Sequence, residues 1–137
     1  MKKVLLFLPL FFLAGCDSDP MVTIYQREIT QTPITCMKLH VFPPNTTITK
    51  TLQEQYPFLD SCTLTLDVSW KSAIKCNSSY NAPQKALSTF PNSYLNMELR
   101  KGLTLQYSYY IDLTEKPDAA EVKKGFERIE KDLKLVR

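Results

Sequence analysis

The cysteines have more chemistry open to them than any other residues of this chain. Besides Cys16, they lie at positions 36, 62 and 76. Cys62 and Cys76 fall on the same face of a strand pattern, and a turn near Ser69 would set them opposite one another. We therefore predict a Cys62–Cys76 disulfide. A bridge from Cys36 to one of these two, or no bridge at all, remains an alternative, because spacing alone does not fix connectivity. A thiol-redox catalyst is expected to carry Cys-x-x-Cys, which this sequence lacks.

The single histidine, His40, is the obvious candidate for a general base. It alternates with apolar residues on the polar side of a predicted strand, beside Lys38, which is typical of ordinary surface. Hydrolytic catalysis also needs a nucleophile and an orienting group, and no motif singles out a serine for that role. The acidic residues are scattered or lie on helix surfaces, so no pair of carboxylates is indicated for glycosidase catalysis. One histidine with dispersed cysteines does not make a zinc site. We expect no catalytic residue and no metal.

The aromatic residues offer a possible recognition surface, because tyrosine and tryptophan are favoured in binding hot spots. Tyr107 and Tyr109 alternate with apolar residues, and Trp70 does the same on an earlier strand, so these three are predicted to be core. Tyr110 falls on the opposite face. It is therefore our candidate for an exposed contact.

Strands must position most of these side chains. Apolar residues alternate over residues 62–70, 95–99 and 103–113, which predicts strands that are each buried on one face. Gly102 can supply the positive φ of a turn between the last two, which predicts a hairpin. Residues 74–76 are predicted to return beside the first strand as a second hairpin.

An earlier strand and two helices complete the predicted fold. Residues 34–42 alternate as a half-buried strand, and Asn45 or Thr46 can cap a short helix after it. Asp118 begins a C-terminal helix with an apolar stripe from Val122 to Val136. The pattern predicts an α+β fold, in which an antiparallel sheet of two hairpins plus an N-terminal strand packs against the C-terminal amphipathic helix.

The N-terminal residues have the order of an export signal. Two lysines precede an apolar run over residues 4–13, and small residues follow it. As a helix this run would span about 15 Å against a hydrocarbon core of about 30 Å, which is too short for a lasting membrane span. The segment Leu13-Ala14-Gly15-Cys16 resembles the lipobox of bacterial lipoproteins. An ordinary secretory signal with a cysteine near its end is the alternative.

The lipobox resemblance implies a diacylglycerol on the sulfur of Cys16 and cleavage just before it. It also implies retention in the inner membrane, because aspartate after the lipidated cysteine, here Asp17, is the usual retention signal in enterobacterial lipoproteins. The outer membrane is the alternative. The expected organisation is a removed signal peptide over residues 1–15, the lipidated cysteine and tether over 16–33, and one small domain over 34–137. A weak first strand around residues 22–25 is the alternative to a plain tether.

Composition excludes several functional classes. Removing 15 of the 137 residues leaves 122, which suits one domain with a modest core. Lys2 and Lys3 account for two of the 17 basic residues, so 15 remain against 14 acidic ones. This near-equal balance gives no excess of basic residues of the kind that nucleic-acid binding needs. Only Gly102 and Gly125 remain, so a glycine-rich phosphate cradle cannot form, and we expect no cofactor.

The sequence therefore predicts a non-catalytic, membrane-anchored periplasmic lipoprotein that binds another protein of the envelope. Its partners would be the membrane, through lipid on Cys16, and an envelope protein of unknown identity. A plasmid or prophage exclusion or immunity lipoprotein is the alternative, since such a protein would also be small, anchored and non-catalytic. A small hydrolytic enzyme is the third possibility and would need a pocket around His40 or a free cysteine.

Overall fold

Alternating side chains build a five-stranded sheet in the computed structural model, which describes residues 18–75 and 91–137. The strands, in chain order, are β1 (Met21–Ile24), β2 (Lys38–Phe42), β3 (Leu64–Lys71), β4 (Ser93–Lys101) and β5 (Thr104–Leu113). The helices are α1 (Glu28–Gln31), α2 (Thr46–Gln55) and α3 (Ala119–Asp132). The sheet order is β1-β5-β4-β3-β2. The described residues thus form an α+β fold, as predicted.

The predicted hairpin at Gly102 is confirmed. β4 and β5 are antiparallel, and Gly102 adopts φ 61° in the turn between them. This left-handed conformation costs glycine little, because it has no Cβ. The other predicted hairpin is wrong. β3 pairs with β4 in antiparallel and with β2 in parallel, so the sheet is mixed. Residues 72–75 form no strand beside β3, and the Ile74 N–H donates instead to the Asn92 carbonyl at 2.7 Å.

Helix α2 explains the parallel pair. Parallel neighbours need a crossover connection, usually a helix, and α2 lies between β2 and β3 in the chain. Asn45 caps it, since its side-chain oxygen accepts from the Ile48 N–H at 3.1 Å, and Ile48 and Leu52 are fully buried. The helix had been predicted, but its role as a crossover had not.

Helix α3 lies across the middle of the sheet. Asp118 caps it by accepting from the Glu121 N–H at 2.8 Å. Gly125 faces the sheet so closely that a Cβ there would lie 3.0 Å from side-chain atoms of Met97 and Tyr109. At the end of α3, Asp132 accepts a hydrogen bond from the Tyr107 hydroxyl at 2.9 Å.

The helices and one face of the sheet enclose a single apolar core. The buried members of this core are Ile29, Ile34, Met37, Ile48, Leu52, Tyr56, Leu66, Val68, Leu95, Met97, Leu99, Tyr107, Tyr109, Val122, Phe126, Ile129 and Leu133. Across residues 18–75 and 91–137, no helix is long and apolar enough to span a membrane.

The N-terminal strand belongs to the sheet. β1 pairs with β5 in antiparallel, with Met21 opposite Tyr110 and Ile24 opposite Tyr107. The Ile34 N–H also donates to the Lys134 carbonyl at 2.8 Å. The folded part therefore includes residues 21–24, ahead of the boundary at residue 34, and β1 matches the weak strand that the sequence offered as the alternative to a tether.

Candidate functional site

One face of the sheet carries no helix from the described part of the chain, and we call it the open face. Its side chains alternate along each strand with the core residues. Its members include Met21, Thr23, Lys38, His40, Phe42, Asp67, Ser69, Lys71, Tyr94, Asn96, Glu98, Arg100, Ser108, Tyr110 and Asp112. Because every second residue points away from the helices, these side chains form one continuous surface.

A polar network covers the half of the open face formed by β2, β3 and β4. His40 on β2 lies opposite Asp67 on β3, and its Nδ1 is 2.8 Å from Asp67 Oδ1. Arg100 Nε is 3.8 Å from Asp67 Oδ2 and donates to Glu98 Oε2 at 2.9 Å. The Asn96 amide donates to Glu98 Oε1 at 3.1 Å. Each carboxylate thus has a partner within the face.

A pair of tyrosines covers the half formed by β4 and β5. The rings of Tyr94 and Tyr110 are stacked, with centroids 5.7 Å apart and planes 25° from parallel. The Tyr110 hydroxyl donates to Asp112 Oδ1 at 2.8 Å. Burial of the hydroxyl and this hydrogen bond raise the pKa of Tyr110 to about 12. The hydroxyl therefore stays a donor at neutral pH, and both rings remain partly exposed.

The faces predicted for the aromatic residues are confirmed. Tyr107 and Tyr109 are buried in the core, and Tyr110 lies on the opposite face. Trp70 is directed to the core side, where its Nε1 donates to the Pro43 carbonyl at 2.8 Å. Tyr94 was missed, although it precedes the alternating Leu95, Met97 and Leu99 and so falls on the outer side of the same pattern.

The cysteine pairing differs from the prediction. Cys62 is bonded to Cys36, with Cα atoms 5.6 Å apart, within the usual range for a disulfide. Both residues lie just before the parallel strands β2 and β3, which brings them side by side. Since Cys62 can form only one such bond, the predicted bridge to Cys76 is corrected. Cys76 lies outside the described residues, as do Cys16 and Asp17.

The His40–Asp67 pair has two of the three parts of a hydrolytic triad. Throughout the described part of the chain, no serine or threonine hydroxyl hydrogen-bonds to His40. Among residues 18–75 and 91–137 the pair therefore has no activated nucleophile beside it. Nor do residues 18–75 and 91–137 contain a group of three or more His, Cys, Asp or Glu placed to hold a metal ion.

A groove of about 440 Å³ lies beside the disulfide at one end of the sheet. Its lining includes Ile29, Ile34 and Leu64, together with Glu28 and Lys101. A small-molecule site of this size usually has a few well-placed polar groups to orient the ligand. None of the polar side chains that line this groove is buried. The open face is therefore the better candidate.

No family model, curated protein or solved structure matches this chain. The case for a function thus depends on the geometry of the chain itself.

Proposed function

We propose that this chain is a bacterial lipoprotein that binds a protein of the cell envelope through the open face and catalyses no reaction. In this proposal, lipid on Cys16 holds the mature chain at the periplasmic face of the inner membrane, with the outer membrane as the alternative. The observation that carries it is the asymmetry of the sheet. In the described residues, helices pack against one face of the sheet, and the other face exposes the tyrosine pair beside the polar network.

The composition of the open face suits a protein partner. Stacked tyrosines supply large, rigid contact area at low entropic cost, and interfaces place such aromatics among polar groups. The charges of the described residues on this face balance, since Lys38, Lys71 and Arg100 share it with Asp67, Glu98 and Asp112. A nucleic-acid surface would need an excess of basic side chains, which this face lacks.

A lipid anchor would make even a modest interface effective. Fixing a small domain at a membrane raises its effective concentration toward partners on that membrane. The two or three acyl chains of such a cysteine contribute about 0.8 kcal/mol per buried methylene, so the anchoring is in practice permanent.

Mass spectrometry with membrane fractionation tests the proposed address. Wild-type protein should begin at Cys16, carry the mass of the acyl chains and fractionate with the inner membrane. Cys16→Ala should lose both the lipid and the membrane association. A soluble, unlipidated product from both forms would refute the anchor.

Site-specific photo-crosslinking in the envelope tests the proposed face. A photoreactive amino acid at Lys71, opposite Tyr94 on the open face, should give a discrete adduct. The same amino acid at Lys123, on the exposed side of α3, is the matched control and should give none. Tyr110→Ala should weaken the Lys71 adduct, because loss of a hot-spot aromatic costs 2 kcal/mol or more, about 30-fold in affinity. Equal adducts from both positions, or an adduct unaffected by Tyr110→Ala, would contradict the proposal.

A further inference from the structure

Three exposed apolar side chains lie together at one edge of the sheet, which we call the β1 edge. Met21, Ile24 and Tyr25 are 67%, 44% and 50% exposed. Met21 and Ile24 belong to β1, the outermost strand on that side, and Tyr25 follows directly. Edge strands are usually protected by charged side chains or by a covering element, since bare apolar edges tend to associate. The β1 edge is thus suited to a neighbour that is itself partly apolar.

The apolar side chains project on both sides of β1. Met21 is opposite Tyr110 and so belongs to the open face, whereas Ile24 is opposite Tyr107 and belongs to the core side. The Tyr25 N–H continues the pairing by donating to the Gln106 carbonyl at 2.9 Å. A broad surface laid along the edge would therefore meet apolar groups from both faces, which fits a planar partner.

The β1 edge is also the described apolar surface nearest in sequence to the proposed anchor. Met21 follows Cys16 by five residues, which reach at most about 17 Å when fully extended. The polar region of one leaflet is itself about 5 to 7 Å thick. Lipid on Cys16 would therefore hold this edge beside the bilayer.

We propose that the β1 edge rests on the lipid surface to which the chain is anchored. This inference depends on the proposed lipidation of Cys16. The ring of Tyr25 suits the headgroup level, where tyrosines of membrane proteins are enriched. The outward backbone groups of β1 require hydrogen bonds, which water and headgroups supply and hydrocarbon does not. The contact is therefore interfacial and the edge does not enter the hydrocarbon core.

The charges near the edge indicate that the contact is hydrophobic. Asp17, Asp19 and Glu28 outnumber Arg27 in this part of the sequence, and Asp112 and Glu121 balance Lys124 and Arg128 in the groove that Ser18, Asp19 and Pro20 line. An excess of acidic groups gives no attraction to anionic lipid. Contact should therefore occur on zwitterionic lipid and should not require phosphatidylglycerol.

This placement fixes which parts of the sheet face away from the membrane. Strands are spaced about 4.8 Å apart, so β2 lies four spacings, about 19 Å, from β1. Phe42 on β2 is 65% exposed and so provides an apolar position at the opposite edge. A sheet standing on its β1 edge leaves the open face accessible from the side, where a partner on the same membrane can reach it.

Environment-sensitive fluorescence on the full lipidated chain tests the inference. With Cys76→Ser in the background, a fluorophore is attached at Ile24→Cys or, as the matched control, at Phe42→Cys. In phosphatidylcholine vesicles the label at position 24 should be blue-shifted and quenched several-fold more strongly by brominated lipid than the label at 42. Met21→Cys provides a second reading from the β1 edge if Ile24→Cys does not fold.

Each other outcome would overturn the inference. Water-like emission from positions 21 and 24, in protein whose mass shows lipid on Cys16, would overturn the membrane contact and leave the anchor intact. Absence of lipid on Cys16 would overturn both proposals. Equal quenching at positions 24 and 42 would contradict the upright orientation, and a blue shift that appears only with phosphatidylglycerol would contradict a hydrophobic contact.

Discussion

The two faces of the sheet are made by the same strands and differ in burial and in polarity. On the covered face, Leu66 and Met97 are fully buried beneath the helices. On the open face, their chain neighbours Asp67, Asn96 and Glu98 stay partly exposed and bond to one another or to other members of the face. The covered face therefore supplies most of the buried apolar contacts of the fold, and the open face carries the groups that the proposed function assigns to partner binding. Substitutions on the two faces should be separable in their effects.

The largest difference between the faces should come from aromatic truncation. Phe126→Ala should cost about 3 to 5 kcal/mol of unfolding free energy, since it empties a fully buried site under the sheet. Tyr110→Ala should cost less than about 1 kcal/mol, because its ring is partly exposed. Denaturant unfolding of a soluble form beginning at Asp17 measures both. Equal losses would mean that the open face is also structural.

The disulfide should contribute nearly as much as a buried aromatic. It closes a loop with a sequence separation of 26, worth about 3.5 kcal/mol in the chain-entropy model. Replacing both Cys36 and Cys62 by alanine should lower stability by roughly this amount and loosen β2, which holds His40 on the open face. Cys76→Ala is the control and should change stability little. No loss of stability from the double substitution would contradict the Cys36–Cys62 bridge.

Removal of the hydroxyl should change the stability of the fold differently at two buried tyrosines. Tyr107→Phe loses the hydrogen bond to Asp132 and should cost about 1 kcal/mol or more. Tyr56 is buried, and its hydroxyl has no hydrogen-bond partner in the described part of the chain. Tyr56→Phe should therefore be neutral or stabilising, because it removes an unsatisfied polar group. Thermal unfolding compares them, and a clear loss from Tyr56→Phe would reveal a partner for that hydroxyl.

The smallest expected effect is a dependence of stability on alkaline pH. Burial, aided by the hydrogen bond to Asp132, raises the pKa of Tyr107 above its ordinary value of 10. Because the folded-state pKa is the higher one, this stabilisation is complete below pH 10 and is lost as the pH rises above it. Tyr107→Phe should therefore reduce the fall in unfolding free energy with rising pH. Denaturant unfolding at a series of alkaline pH values, in a Cys76→Ser background, measures this.

Tyr110→Phe gives the matching test on the open face. Its pKa is also raised, to about 12, but its ring is partly exposed, so solvent screening should make the flattening of stability against pH weaker. A stronger effect from Tyr110→Phe than from Tyr107→Phe would contradict the assignment of the two faces.

The sequence predicted which way side chains point better than which strands are neighbours. Period-two alternation placed Leu66 and Val68 in the core and Tyr110 outside, because it depends only on the geometry of one strand. Pairing of strands depends on contacts between distant segments. The parallel β2–β3 pair was therefore missed, and the Cys36–Cys62 bridge that depends on it remained only an alternative.

The polar network was unpredicted for the same reason. His40 contacts Asp67 only because parallel pairing places them opposite each other. The sequence had placed His40 on an outer face without a partner. The helix between two strands was the available signal for a crossover, since parallel neighbours require one.

Under the proposed export, the pairing of β1 with β5 affects the order in which the chain crosses the membrane and folds. A chain threaded from its N-terminus delivers β1 first, yet Met21 must await Tyr110 near the other end of the polypeptide. Such distant pairing is slow, because a long loop must close before any contact rewards it. The N-terminal strand would thus stay unpaired until translocation is almost finished. In the proposed lipoprotein, the enzymes that attach lipid and remove the leader would act on a segment that has not yet folded.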